Sequence, residues 1–155
     1  MQPNKDFNEL VGLFNENEVE FVIVGAYALA FHGAPRFTGD LDIYVHPTTK
    51  NAARVLRALD EFGFGEIGLQ LSDFSIEDKV TQLGLPPVRI DIMTSITGVS
   101  WNEAWSNKVS GHYGSQPVFF LGKDEFIRNK KSIGRPQDLA DIAAIDCSST
   151  DPEDI

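Results

Sequence analysis

Cysteine is nearly absent from this chain: Cys147 stands alone, so no internal disulfide can form, and the expected compartment is the reducing cytoplasm. Long apolar runs are missing too. None approaches the ~20 residues that a membrane helix needs, and no secretory signal precedes Phe7, so neither a membrane span nor export is expected. Positive charge is scarce, with 13 Lys and Arg against 23 Asp and Glu and a formal net charge of −10. That deficit argues against a broad nucleic-acid surface, because such binding draws most of its strength from neutralised phosphates. A local basic cleft remains compatible with it. Repeats and low-complexity segments are lacking as well. What is present is the composition of a soluble globular protein, 42% hydrophobic and 23% charged in 155 residues, enough for one domain with a sizeable core. That domain is expected over residues 1–147, and the acidic, aperiodic stretch 148–155 is expected to be disordered.

The chain is organised around residues 21–45, FVIVGAYALAFHGAPRFTGDLDIYV. Phe21-Val22-Ile23-Val24 is a continuous β-branched and aromatic run, as a strand buried on both faces requires, and it stops at Gly25. Ala26 to Phe31 follows as an alanine-rich helix ended by His32-Gly33-Ala34-Pro35. His32 fits a positioning role better than a catalytic one. Asp40-Leu41-Asp42-Ile43-Tyr44-Val45 then alternates with period two, which puts both carboxylates on one side of a second strand. Like charges held a few Å apart are mutually destabilising unless one protonates or a cation bridges them. Mg²⁺ or Mn²⁺, bound through oxygen, is the natural bridge; a solvated strand end is the bland alternative. The helix start after Gly25 favours an anion such as phosphate, and Arg36 lies between the two features.

The order glycine turn, helix, His32-Gly33, Arg36, Thr38 and Asp40-Leu41-Asp42 resembles the DNA polymerase β-type nucleotidyltransferase superfamily, and within it the minimal and AbiEii-like nucleotidyltransferases. A second block, from Asn129-Lys130 through Gly134-Arg135-Pro136-Gln137-Asp138-Leu139-Ala140-Asp141-Ile142, is similar to the C-terminal signature of the same group. The resemblance implies an α/β (α+β) nucleotidyltransferase fold, a mixed twisted sheet flanked by helices, and transfer of a nucleoside monophosphate from a nucleoside triphosphate to a hydroxyl acceptor on protein, tRNA or a small molecule. It implies Asp40, Asp42 and Asp91 as catalytic and metal-binding carboxylates, with Gly25, Ala26, Arg36, Thr38 and Lys130 binding the nucleotide. A toxin–antitoxin or phage-defence setting with a cognate protein partner is implied too. Ala26 departs from the pattern, which has serine or a second glycine there. An inactive nucleotidyltransferase-like binding or antitoxin module is therefore the alternative reading.

Elsewhere the residues predict a framework. Phe7, Leu10, Val11 and Phe14 make one face of a helix over residues 6–15, and a second helix is expected over 49–62. Residues 67–80 show no regular pattern beyond a loop or weak strand. Val80-Thr81-Gln82-Leu83 and Val88 to Met93 alternate across Gly84-Leu85-Pro86-Pro87 as a hairpin, which turns Arg89, Asp91 and Met93 away from Val88, Ile90 and Ile92. A short helix over 101–107, a strand over 116–121 and helices over 123–132 and 135–146 complete the reading. In the last, Leu139, Ile142, Ala143 and Asp146 share one helical stripe, while Asp138 lies within reach of Arg135. Arg128, Lys130, Lys131 and Arg135 are the densest positive cluster, which could face the aspartates.

Overall fold

The computed structural model describes residues 4–34, 39–85 and 88–147. Two expected nucleotide-binding residues, Arg36 and Thr38, and the acidic stretch 148–155 lie outside the described residues.

Six strands form one mixed sheet in the order β3-β4-β2-β1-β6-β5. Its centre is the segment the sequence singled out. β1 (Phe21–Val24) is buried along its whole length and pairs antiparallel with β2 (Asp40–Val45), Val24 lying opposite Asp42. Between them runs α2 (Gly25–Phe31). β2 pairs parallel with β4 (Val88–Met93), and β4 pairs antiparallel with β3 (Val80–Leu85) as the expected hairpin. On the other flank β1 runs parallel to β6 (Gln116–Phe120), which pairs antiparallel with β5 (Val109–Tyr113).

α1 (Lys5–Glu16) buries Phe7, Leu10, Val11 and Phe14, its predicted face, and is capped by Asn4, whose side chain accepts from the amides of Asp6 and Phe7. α3 (Thr49–Leu59) starts at Thr48, whose hydroxyl accepts from the Asn51 amide. Asn51 itself is buried and ties strand ends together. Its amide donates to the carbonyls of Glu20 and His46, both at 3.0 Å, and its oxygen accepts from the Glu20 amide at 2.8 Å. α5 (Trp101–Ser106) carries a reciprocal capping box between Ser100 and Glu103. α6 (Lys123–Ile133) ends at Gly134, whose φ of +72° is the left-handed conformation that a helix terminator of this kind needs, and α7 (Pro136–Cys147) follows. Among the described residues no helix is long and apolar enough to cross a membrane.

Four local expectations change. α3 ends at Leu59 and passes into a five-residue π turn, Asp60–Phe64, and helical geometry breaks at Gly63 with a φ of +114°, the glycine expected to stop the helix. The irregular stretch 67–80 contains a single helical turn, α4 (Ser72–Ser75), which exists to bury Phe74. β5 carries no apolar alternation in Val-Ser-Gly-His-Tyr, yet it forms the outer arm of a hairpin with β6. In α7 the inward stripe is Asp138, Asp141, Ile142 and Ile145, whereas Leu139 is 54% exposed. Two carboxylates replace leucine on the buried face, and the reason lies in α6.

Candidate active site

The parallel ladder between β2 and β4 sets Asp40 opposite Arg89 and Asp42 opposite Asp91. Because side chains alternate along a strand, these four groups share one face of the sheet. Three are acids and one is a cation. Asp42 and Asp91 are direct neighbours across the ladder, two carboxylates that disfavour each other's ionisation. Burial, reinforced by the charges of Asp91 and Asp40, pushes the Asp42 carboxyl up to about 7. Burial raises Asp91 as well, against the opposing pull of Arg89. Asp91 is 8% exposed, on an interior strand, so it is no surface aspartate of a sheet edge.

Arg89 is the cation of this group. Its Nη2 donates to Asp40 Oδ2 at 3.1 Å, while its Nε stands 3.4 Å from Asp91 Oδ1. The second contact is charge without a hydrogen bond: both Arg89 Nε and Asp91 Oδ1 are buried and have no hydrogen-bond partner. No sequence signal marked Arg89, because a residue two before an aspartate is informative only once the neighbouring strand and its register are known.

Asp42 opens onto a cleft of about 360 Å³, whose wall also includes Val24, Gly25, Asp78, Met93, Asn129 and Lys130. Gly25 has a φ of +66°, and a β-carbon there would collide with the Asp42 carboxylate, so glycine is required both by conformation and by space. Ala26 is buried just behind it. His32 caps the other end of α2. It is buried, burial lowers its pKa, and as a neutral imidazole its Nε2 donates to the Leu121 carbonyl at 2.7 Å, a structural tie.

Lys130 reaches the cleft from α6, where its positive charge opposes the upward shift of Asp42. It is only 11% exposed and is held from behind, with Nζ 3.3 Å from Asp138 Oδ1 and 3.8 Å from Asp141 Oδ2. Asp138 also accepts from Arg135 Nε at 2.7 Å and from the Arg135 amide at 3.1 Å. This accounts for the inward turn of α7. The expected pairing of Arg135 with Asp138 is present, but Asp138 and Asp141 serve Lys130 too. Of the expected basic cluster only Lys130 lines the cleft: Arg128 pairs with Glu103, Arg135 with Asp138, and Lys131 is exposed.

Among the described residues no three His, Cys, Asp or Glu side chains stand as a preformed cation site. The donor chemistry nevertheless fits a hard divalent ion. All three acids offer oxygen, and one buried oxygen of Asp91 lacks a hydrogen-bond partner.

No protein-family model matches the chain, and no curated protein matches it. Among solved structures it is similar to a crystal structure of a candidate nucleotidyltransferase from Thermotoga maritima, with 18% identity over 88% of both chains and a TM-score of 0.56. At that identity the likeness concerns architecture: the chain has a nucleotidyltransferase-like fold, a mixed six-stranded sheet flanked by helices.

Proposed function

We propose that the chain is a nucleotidyltransferase that moves a nucleoside monophosphate from a nucleoside triphosphate to a hydroxyl acceptor. The observation that carries this reading is the pairing of Asp42 with Asp91 at the edge of a cleft whose far wall is Lys130. Two carboxylates facing each other across a ladder, with Asp42 pushed up by burial and by its acidic neighbours, are a poor structural device and a good receptor for a divalent cation. Asp40, Asp42 and Asp91 would hold Mg²⁺ or Mn²⁺, which when bound neutralises the triphosphate and activates the acceptor hydroxyl. Lys130 offers a fixed ammonium to the phosphates. Gly25 keeps the chain out of the space beside Asp42 so that a phosphate can approach, and the backbone amides of Gly25 and Ala26 would be its donors. The ionised Asp91 carboxylate would accept the acceptor hydroxyl's proton as the acceptor oxygen bonds to the α-phosphorus and pyrophosphate leaves.

Ala26 has no hydroxyl to offer a phosphate, a deficit of on the order of 1 kcal/mol for one neutral hydrogen bond, which weakens binding without removing the site. The AbiEii-like branch, with its toxin–antitoxin or phage-defence setting and protein partner, rests on the two sequence blocks. A second reading, an inactive binding or antitoxin module of the same fold, draws support from Arg89, which already sits against two of the three acids. Incubation with α-labelled ATP, CTP, GTP or UTP, Mg²⁺ and protein, tRNA or small-molecule acceptors separates the two. Label transfer with pyrophosphate release, lost in Asp42→Asn, is the result expected of the enzyme. Nucleotide binding without turnover on any acceptor class is the result expected of the module.

A further inference from the structure

Arg89 poses a problem that the proposed chemistry does not solve. A guanidinium placed among acids usually gives them its forked donors in pairs. Here it makes one good hydrogen bond, to Asp40, and leaves Nε dry and unsatisfied against an equally unsatisfied Asp91 oxygen at 3.4 Å. Strand register dictates this. Arg89 and Asp91 are two residues apart on β4, so their side chains stand parallel, and the guanidinium reaches Asp40 across the ladder at the cost of poor alignment to Asp91. The cation therefore holds two of the three proposed ligands by charge, and only one of them with good geometry.

We propose that Arg89 is an internal counter-ion that competes with the divalent cation for Asp40 and Asp91, and that it couples metal binding to nucleotide binding. The inference builds on the metal-site reading above. A free divalent ion entering the acidic face must displace the guanidinium from at least one carboxylate, leaving a partly buried positive charge without its partner. A metal ion that arrives with a triphosphate brings phosphate oxygens to which the released guanidinium can turn. The site thus binds free metal weakly and metal–nucleotide together strongly.

Binding of Mn²⁺ alone, followed by electron paramagnetic resonance or calorimetry, tests this without reference to turnover. Arg89→Gln should bind Mn²⁺ about tenfold more tightly or better than the wild type, a modest return for removing a unit positive charge a few Å away. It should also lose most of the gain in Mn²⁺ affinity that a non-hydrolysable triphosphate confers on the wild type. Arg89→Lys keeps the charge but cannot span two carboxylates, so its Mn²⁺ affinity should fall between the two, and it serves as the readout if the glutamine variant does not fold. Equal or weaker Mn²⁺ binding in both variants overturns the inference. Asp42→Asn separates this failure from that of the metal site. If Asp42→Asn abolishes Mn²⁺ binding while the Arg89 variants show no gain, only the role of Arg89 falls. If Mn²⁺ binds none of the proteins, or binds all of them alike, the metal reading and the inference fall together.

Discussion

Two clusters of acids, one on the sheet reaching the cleft through Asp42 and one behind Lys130, are poised in opposite ways. On the sheet, Arg89 stands against Asp40 and Asp91, and burial together with the neighbouring acids pushes the Asp42 carboxyl up to about 7. At the junction of α6 and α7, Asp138 and Asp141 meet Lys130 and Arg135, and the hydrogen bond from Arg135 draws the Asp138 carboxyl down to about 2 despite its burial. Around Asp42, burial and the neighbouring acids outweigh the charge of Lys130; around Asp138, the hydrogen bonds from Arg135 and the charge of Lys130 outweigh burial. The Asp138 cluster, saturated with hydrogen bonds, holds two helices together; the sheet cluster, unsaturated at Asp91 Oδ1, is the one proposed to receive a cation.

The largest effect should come from unbalancing the saturated cluster. Asp138→Asn leaves the buried ammonium of Lys130 short of its main partner and should destabilise the fold by about 3 kcal/mol, measured by urea denaturation at pH 7. The pH dependence has a definite sign. Because the folded value lies below the unfolded one, the stabilisation from Asp138 is fully present above about pH 4 and is lost as pH falls toward 2, and the variant should lack that acid-side loss.

Lys130 belongs to both clusters, so its loss should be felt in binding. Lys130→Ala should weaken binding of nucleotide with Mg²⁺ by roughly 1.5 to 3 kcal/mol, the range for a charged hydrogen bond, as read by calorimetric titration. Unchanged affinity would confine Lys130 to holding α7 in place.

Relieving the unsaturated cluster should have the opposite sign. The Asp42 carboxyl is raised on folding, so the folded protein binds more protons than the unfolded chain between about pH 4 and 7, and stability falls as pH rises through that window. Asp42→Asn should remove the fall and leave the metal-free protein about 1 to 2 kcal/mol more stable than the wild type at pH 8, as followed by thermal melts. A strongly destabilised variant would mean that the pair is structural. At the small end, Arg128→Ala breaks an exposed pair with Glu103 outside the cleft, and neither melting temperature nor nucleotide affinity should change measurably.

The difference in what the sequence discloses follows the same division. β1, Gly25 and the Asp40–Asp42 alternation were legible because each is written within one short stretch with its own period. The alternation of Val88 to Met93 disclosed that Asp91 faces away from its isoleucine neighbours, while its candidacy for the site came from the resemblance. Arg89 was not legible, since its partners are set by the register between β2 and β4. Nor was the inward face of α7: periodicity counts apolar residues, and here two aspartates occupy the buried stripe because a lysine on another helix draws them in. β5 escaped notice for a simpler reason. Its Gly111 and alternating polar residues carry no core, and the strand is specified by its hairpin partner β6.

The account turns on the claim that the acids of β2 and β4 await a cation while those of α7 do not. Carboxyl-carbon NMR titration of aspartate-labelled protein reads both clusters at once. Without divalent ions, the Asp42 resonance should titrate near pH 7 while Asp138 stays ionised across the range; with Mg²⁺ and a non-hydrolysable triphosphate, Asp42 should remain ionised down to about pH 5, because a bound divalent cation favours the carboxylate. An Asp42 resonance that titrates near pH 4 without metal, or one indifferent to Mg²⁺ and nucleotide, would contradict the claim.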